Sequence, residues 1–199
     1  MRAMAAAIHD KGYRDATVAD IVAAASVSRR SFYNEFPSKA DAFFAAYEHS
    51  FQMGLGACTP AFFISAPWPE RVWHSAQAFT GFLAREPLLS YLGFVECYAA
   101  GPTFALRVQD THLAFTLFLE DGYQRARARS LSRACSTLTA TAIFELAFQG
   151  TRRNPGLYLR RSQPLAVYIA LAPFLGRDEA GEFVTGKLAA TDSDAPAAA

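Results

Sequence analysis

The chain has 199 residues, of which 52% are hydrophobic and 14% aromatic, enough apolar side chains for a sizeable core or for a small domain beside a larger one. Its net charge of +1 excludes recognition of nucleic acid by bulk electrostatics, so any such site must be local. No apolar run reaches the roughly 18 residues that span a bilayer, since charged residues or histidines interrupt every run. We therefore expect a cytoplasmic protein without a membrane partner.

The cysteines and histidines show no metal-ligand or disulfide spacing. Cys58, Cys97 and Cys135 lie far apart, and the four histidines are equally scattered. We therefore expect free thiols and assign no metal. The sequence also lacks a nucleotide-binding loop and any recognisable catalytic set, so we expect no cofactor and no enzymatic activity.

The first predicted element is a helix from Ala3 to Gly12, which ends at the C-terminal signal "DKG". It is shorter than the usual first helix of a small bundle, which runs about three turns. We hypothesise that the native chain starts upstream of Met1 or lacks an N-terminal arm.

Two short helices follow. Thr17 and Asp20 have the spacing of a capping box, with Asp in place of Glu, and predict the start of the second helix. A break at residues 26 to 28 precedes the third helix, for which Ser28 is the expected N-cap. Pro37 ends it, because the residue before a proline is driven out of helical geometry.

The remaining elements are all predicted helices. Apolar spacing predicts a fourth helix to about Phe51, where "GLGACTP" breaks the pattern. From there to about residue 176, apolar residues recur mostly at intervals of three and four, punctuated by Pro and Gly, and no strand alternation occurs. The sequence therefore predicts an all-α fold in two parts.

The second and third helices have the dimensions of a helix-turn-helix. The third presents arginine and asparagine side chains, which match guanine and adenine edges in a major groove. Lys39, Thr17 and Tyr33 can donate to phosphates. A small bundle that merely solvates its arginines explains the same pattern, so both interpretations stay open from the residues alone.

Residues 17 to 43 resemble the DNA-binding signature of the tetracycline-repressor (TetR) family, and the resemblance extends over about residues 3 to 50. Ser26 departs from the family's turn glycine, at a position that requires positive φ, which costs a serine about 1 kcal/mol. The matching positions are Thr17, Ile21, Ala25, Val27, Ser28, Tyr33, Phe36, Lys39 and Phe43. The resemblance implies DNA-binding roles for Thr17, Ser28, Arg29, Arg30, Ser31, Tyr33, Asn34 and Lys39.

The resemblance also implies the domain organisation and the partners. A three-helix helix-turn-helix bundle would occupy residues 1–50, a larger helical ligand-binding and dimerisation domain residues 51–188, and a disordered tail residues 189–199. A homodimer would place two recognition helices about 34 Å apart on double-stranded, palindromic DNA. Candidate dimer residues, which could equally be internal core, are Leu138, Ile143, Leu146, Tyr168, Ile169 and Ala172.

The middle helices are dense in aromatic rings, as an apolar ligand pocket requires, although the same rings would also suit a core. The candidate ligand residues are Trp73, Phe82, Phe94, Glu96, Tyr98, His112 and Phe115. The expected function is a ligand-responsive transcriptional regulator, a repressor released by a mostly hydrophobic small molecule. The alternative is a helical protein-interaction module that has lost specific DNA binding, because the net charge is small and Glu35 lies beside the arginines.

Overall fold

The computed structural model describes residues 1–125, 130–153 and 155–193, and no residue in these ranges lies in a strand. The predicted all-α class is confirmed. Two 3₁₀ helices, Glu96–Ala100 and Thr116–Gln124, accompany the α-helices. The α-helices are α1 (Arg2–Asp15), α2 (Val18–Ala25), α3 (Arg29–Glu35), α4 (Lys39–Phe62), α5 (Trp68–Arg85), α6 (Pro87–Phe94), α7 (Pro102–Phe115), α8 (Ala134–Arg153), α9 (Pro155–Leu175) and α10 (Arg177–Ser193).

The N-terminal bundle packs α1, α2 and α3 against the start of α4. Its core contains Ile8, Ile21, Phe32 and Phe43, all buried. Gly12 interrupts the helical geometry of α1 with φ +77°, a left-handed value that favours glycine, and one more turn follows to Asp15. The predicted break at Gly12 is therefore present, but the helix does not stop there.

The turn between α2 and α3 follows its local sequence signals. The Thr17 side chain accepts from the backbone of Asp20, whose carboxylate accepts from Thr17 in return, so the capping box forms. Ser26 has φ 54° and ψ 40°, the left-handed conformation expected at this position. Ser28 caps α3 as predicted, and α3 ends at Glu35, ahead of Pro37.

Helix α4 runs to Phe62, so the predicted break at about Phe51 is wrong. The glycines that suggested a break serve packing instead. A Cβ on Gly54 would lie 3.3 Å from the Phe82 ring, so glycine there lets α4 and α5 approach closely. The boundary proposed between the two domains thus lies inside one continuous helix.

Helices α6 and α7 add Leu89, Leu92, Phe104 and Val108 to the core of the N-terminal bundle, whereas α5, α8, α9 and α10 pack around two further apolar clusters, one of them centred on α9. Val167, Leu171 and Phe174 of α9 are almost fully buried at its centre. Helix α10 was not predicted, and it buries Ala180 and Val184 at helical spacing. Residues 189–193 of the predicted tail are helical, whereas residues 194–199 lie outside the described residues.

Cys58 and Cys97 are buried free thiols, and the free thiol of Cys135 is half-buried. Across the described residues, His, Cys, Asp and Glu side chains form no group of three that could hold a metal ion. None of the described helices is sufficiently long and apolar to cross a membrane.

Candidate functional site

One face of α3 is exposed and carries arginine, tyrosine and asparagine side chains. Phe32 is 5% exposed and anchors the opposite face in the core of the bundle. Arg29, Arg30, Tyr33 and Asn34 all face solvent, and the two arginines have no ion-pair partner among the described residues. This arrangement brings together four of the predicted DNA-binding residues, with donors that remain available to a groove.

Three of the other predicted DNA-binding hydroxyls hold the helix ends. Ser28 Oγ accepts from the Ser31 backbone N–H at 3.0 Å, and the two hydroxyl oxygens are 2.9 Å apart. The Thr17 hydroxyl donates to Asp20 Oδ2 at 2.7 Å. These bonds fix the ends of α2 and α3, and thereby the angle at which the exposed face is presented.

The Lys39 side chain, which the resemblance assigns to a phosphate, makes hydrogen bonds within the protein. Its ammonium donates to the carbonyl oxygens of Tyr13 at 2.7 Å and Ala16 at 2.9 Å, and it lies 4.5 Å from the centre of the Tyr13 ring. A lysine is well suited to the unpaired carbonyls at a helix C-terminus. In this structure Lys39 therefore ties α4 to the end of α1 and does not extend towards solvent.

Two adjoining cavities lie in the larger helical part. The first has a volume of about 20 Å³ and includes the predicted Phe82, Phe94 and Phe115 in its lining. The second, of about 90 Å³, also includes Phe115. Phe79 and Phe144 line both cavities as well, so aromatic rings form a shared wall. The first cavity has room for about one water molecule, so a larger ligand would require the surrounding rings to move apart.

Three of the other predicted ligand residues, Trp73, Glu96 and Tyr98, line neither cavity. Trp73 is buried with its ring centre 6.3 Å from that of Phe183, and Tyr98 is 53% exposed. Glu96 Oε2 accepts from the Tyr13 backbone N–H at 2.7 Å, so it contacts α1 just after the break at Gly12. The side chain of His112 lies outside the described residues.

The polar lining of the first cavity was missed by sequence reasoning. Tyr47 of α4, Ser50 and Thr111 contribute buried hydroxyls, with Tyr47 Oη 2.7 Å from Thr111 Oγ1. Burial raises the pKa of the Tyr47 hydroxyl well above its ordinary value, so the group is neutral at physiological pH. No sequence signal marks this pairing, because the two residues are 64 positions apart.

The predicted dimer residues differ in their exposure to solvent. Leu138 on α8 is 71% exposed, whereas Ile143 lines the second cavity. Tyr168 and Ala172 pack partly against the buried core of α9. Leu146 and Ile169 are half-buried. Outside this set, Leu165 on α9 is 48% exposed and extends the apolar surface.

Comparisons with known proteins bear on both parts of the chain. Residues 1–46 match the family model described as bacterial regulatory proteins, tetR family. No protein with curated function matches the chain in sequence.

Solved structures share the fold over most of the chain. The fatty acid degradation regulator FadR from Bacillus halodurans is 16% identical with a TM-score of 0.74, over 85% of this chain and 94% of that one. FadR from Bacillus subtilis, in complex with stearoyl-CoA, is 14% identical with a TM-score of 0.73, over 86% and 95%. A tetR-family regulatory protein from Rhodococcus RHA1 is 23% identical with a TM-score of 0.65, over 85% and 95%.

The family match covers the turn, the caps and the exposed face of α3, which all lie within residues 1–46. The sequence and structure matches together confirm the resemblance to the TetR family: the chain carries a tetR-family helix-turn-helix at its N-terminus within the fold of TetR-family transcriptional regulators.

Proposed function

We propose that this protein is a ligand-responsive transcriptional repressor, which binds palindromic DNA as a homodimer and is released by a mostly hydrophobic small molecule. The observation that carries the proposal is the exposed face of α3, where Arg29, Arg30, Tyr33 and Asn34 are presented by a capped tetR-family helix-turn-helix. Charged donors without internal partners on a rigid helix are what a major groove requires.

The exposed side chains of α3 are suited to different parts of the DNA. Arg29 and Arg30 can each donate a bidentate pair to guanine, and Asn34 can pair with adenine. Tyr33, which is 54% exposed, is the candidate for a phosphate contact. Lys39 is left out of this set because its ammonium is engaged with carbonyl oxygens of α1.

The homodimer is proposed to form through α8 and α9. Leu138 and Leu165 are large apolar side chains that are 71% and 48% exposed, one on each helix. Their burial against a second copy would remove apolar surface from water. Two copies joined in this way would present two α3 helices to successive major grooves of a palindrome.

The cavities are the proposed ligand site, and α4 is the proposed link to DNA binding. Tyr47 lines the first cavity, while Phe43, one turn earlier on α4, is buried in the N-terminal bundle. A ligand that binds more tightly to one position of α4 would favour one spacing of the two α3 helices over another. The shift in this equilibrium can be no larger than the difference in the ligand's affinity for the two conformations. The stearoyl-CoA complex of Bacillus subtilis FadR supports ligand binding by this fold.

Selection from a random pool of DNA duplexes tests the proposal. We expect enrichment of a palindrome whose half-sites lie about one helical turn apart, bound by two chains per duplex. The Arg29→Ala/Arg30→Ala variant should lose the enrichment. Arg177→Ala, at an arginine whose side chain is 84% exposed on α10, is the matched control and should retain it.

No enrichment by the folded wild-type protein would contradict the repressor function. It would favour the alternative of a helical protein-interaction module. Enrichment that survives loss of both arginines would instead contradict the assignment of α3 as the helix that contacts bases.

A further inference from the structure

The last turn of α1 is held by side chains from two other parts of the chain. Gly12 interrupts the helix with φ +77°, and the next amide, the Tyr13 N–H, donates to Glu96 Oε2 at 2.7 Å. The Tyr13 carbonyl accepts from the Lys39 ammonium, also at 2.7 Å. Both polar backbone groups of Tyr13 are therefore bonded outside α1, one to the first 3₁₀ helix and one to α4.

The Glu96 carboxylate lies directly beside the break in α1. A Cβ at Gly12 would be 3.8 Å from Glu96 Oε2, which is van der Waals contact. Glu96 is half-buried, and a partly buried carboxylate without a donor is costly. Hydrogen bonds to an ionised acceptor are also stronger than neutral ones. The bond to the Tyr13 amide thus stabilises both the carboxylate and the backbone conformation after Gly12.

The segment that carries Glu96 packs along α1. It follows α6, whose Leu89 and Leu92 are fully buried in the same core as Ile8 of α1. The polar and aromatic contacts between the two segments follow the same order along both, and they join Arg2 to Glu86, His9 to Tyr91 and Tyr13 to Glu96. The first two of these contacts join side chains, whereas Glu96 bonds to the backbone.

The turn that Glu96 holds leads directly into the helix-turn-helix. The Ala16 N–H bonds to the Gly12 carbonyl at 3.0 Å, and Thr17, the N-cap of α2, follows. Ile21 of α2 and Phe32 of α3 lie in one core, so the two helices move together. Because glycine adopts many backbone conformations, Gly12 alone does not fix the direction in which the chain leaves α1.

We propose that Glu96 is a positioning residue for DNA recognition: by holding the Tyr13 amide, it fixes the break in α1 and thereby the angle at which α3 meets the major groove. Glu96 acts through the backbone of Tyr13 and does not itself contact DNA. The inference rests on the proposed function, since it assigns a role in the same DNA binding to a residue of the larger helical part.

Amide hydrogen exchange of the full chain without DNA, followed by NMR, tests the contact. Glu96→Ala removes the acceptor, and the loss of a hydrogen bond to a charged group predicts that the Tyr13 amide exchanges about tenfold faster. Glu96→Gln keeps a side-chain carbonyl as acceptor and should keep the slow exchange. The matched control is Glu86→Ala, whose partner Arg2 has a side chain that is 70% exposed, and it should leave the Tyr13 amide unchanged.

Titration of the same variants with the duplex selected by the wild-type protein tests the role in recognition. All titrations are made below the melting temperatures, at several salt concentrations. Glu96→Ala should reduce the competent population and so weaken binding about tenfold per chain, or about a hundredfold for two chains on one duplex. Its slope of log affinity against log salt should equal that of the wild type, because no phosphate contact is lost. Glu96→Gln and Glu86→Ala should bind as the wild type does.

Four results would overturn the inference. They are unchanged exchange of the Tyr13 amide in Glu96→Ala, unchanged affinity of that variant for the duplex, an equal loss in Glu86→Ala or Glu96→Gln, and a lower salt slope in Glu96→Ala. A lower melting temperature with unchanged affinity would make Glu96 a structural residue only. The proposed function fails separately, if the wild-type protein selects no duplex, whereas the inference fails if it selects one that Glu96→Ala binds equally well.

Discussion

Replacement of Lys39 by methionine should destabilise the N-terminal bundle and leave the number of phosphate contacts unchanged. The ammonium donates to Tyr13 O at 2.7 Å and to Ala16 O at 2.9 Å. A hydrogen bond from a charged donor contributes about 1.5 kcal/mol at the lower end of its range. The two bonds together thus predict a loss of about 3 kcal/mol in the free energy of unfolding. For a chain of this size that lowers the melting temperature by about 6 to 12 °C.

The assay is thermal unfolding followed by circular dichroism, together with DNA affinity as a function of salt well below the melting temperature. Lys11→Met is the matched control, because Lys11 pairs with Asp20 at a surface where its side chain is 52% exposed. Such a pair contributes about 1 kcal/mol or less. The melting temperature of Lys39→Met could instead be unchanged, while the slope of log DNA affinity against log salt falls by about 1. That result would refute this reasoning and would indicate that Lys39 contacts a phosphate.

Three further predictions concern pH, assembly and base recognition. Hydrogen bonds from Lys11 and Thr17 lower the pKa of the Asp20 carboxyl, so its stabilisation is complete above the unfolded pKa of about 3.9 and is lost as the pH falls below that value. The melting temperatures of wild type and Asp20→Asn should therefore converge in acid, and a constant difference would contradict this linkage. Leu138→Glu should give monomers in sedimentation velocity. The control Leu117→Glu, at a leucine that is 68% exposed, should leave the dimer intact. Dimers in both variants would exclude the α8 surface as the dimer interface. Arg30→Ala should flatten discrimination between operator variants by about 1–3 kcal/mol in competition binding, and a uniform loss for all sequences would place it on phosphate.

The turn and the caps of the helix-turn-helix could be predicted because their causes are local. Thr17 and Asp20 are three residues apart, and their mutual hydrogen bonds need only the backbone between them. The positive φ of Ser26 follows from the left-handed residue that commonly ends a helix. The same holds for Ser28, whose hydroxyl bonds to the amide three residues later.

The residues that sequence reasoning misplaced or missed have distant partners. Glu96 bonds to an amide 83 positions away, and Tyr47 bonds to a hydroxyl 64 positions away. Helix α4 continues past Phe51 because Gly54 packs closely on Phe82, and tertiary packing of this kind overrides the low helix propensity of glycine. Neither periodicity nor composition encodes such pairings, so they emerge only once the helices are packed together.

The most direct test of DNA recognition by α3 is a titration of the selected duplex with wild-type protein at several salt concentrations, followed by fluorescence anisotropy. The proposed repressor predicts a linear fall of log affinity with log salt, and a preference over a scrambled duplex of the same composition of at least about 1,000-fold. Equal, salt-independent affinity for both duplexes would contradict it.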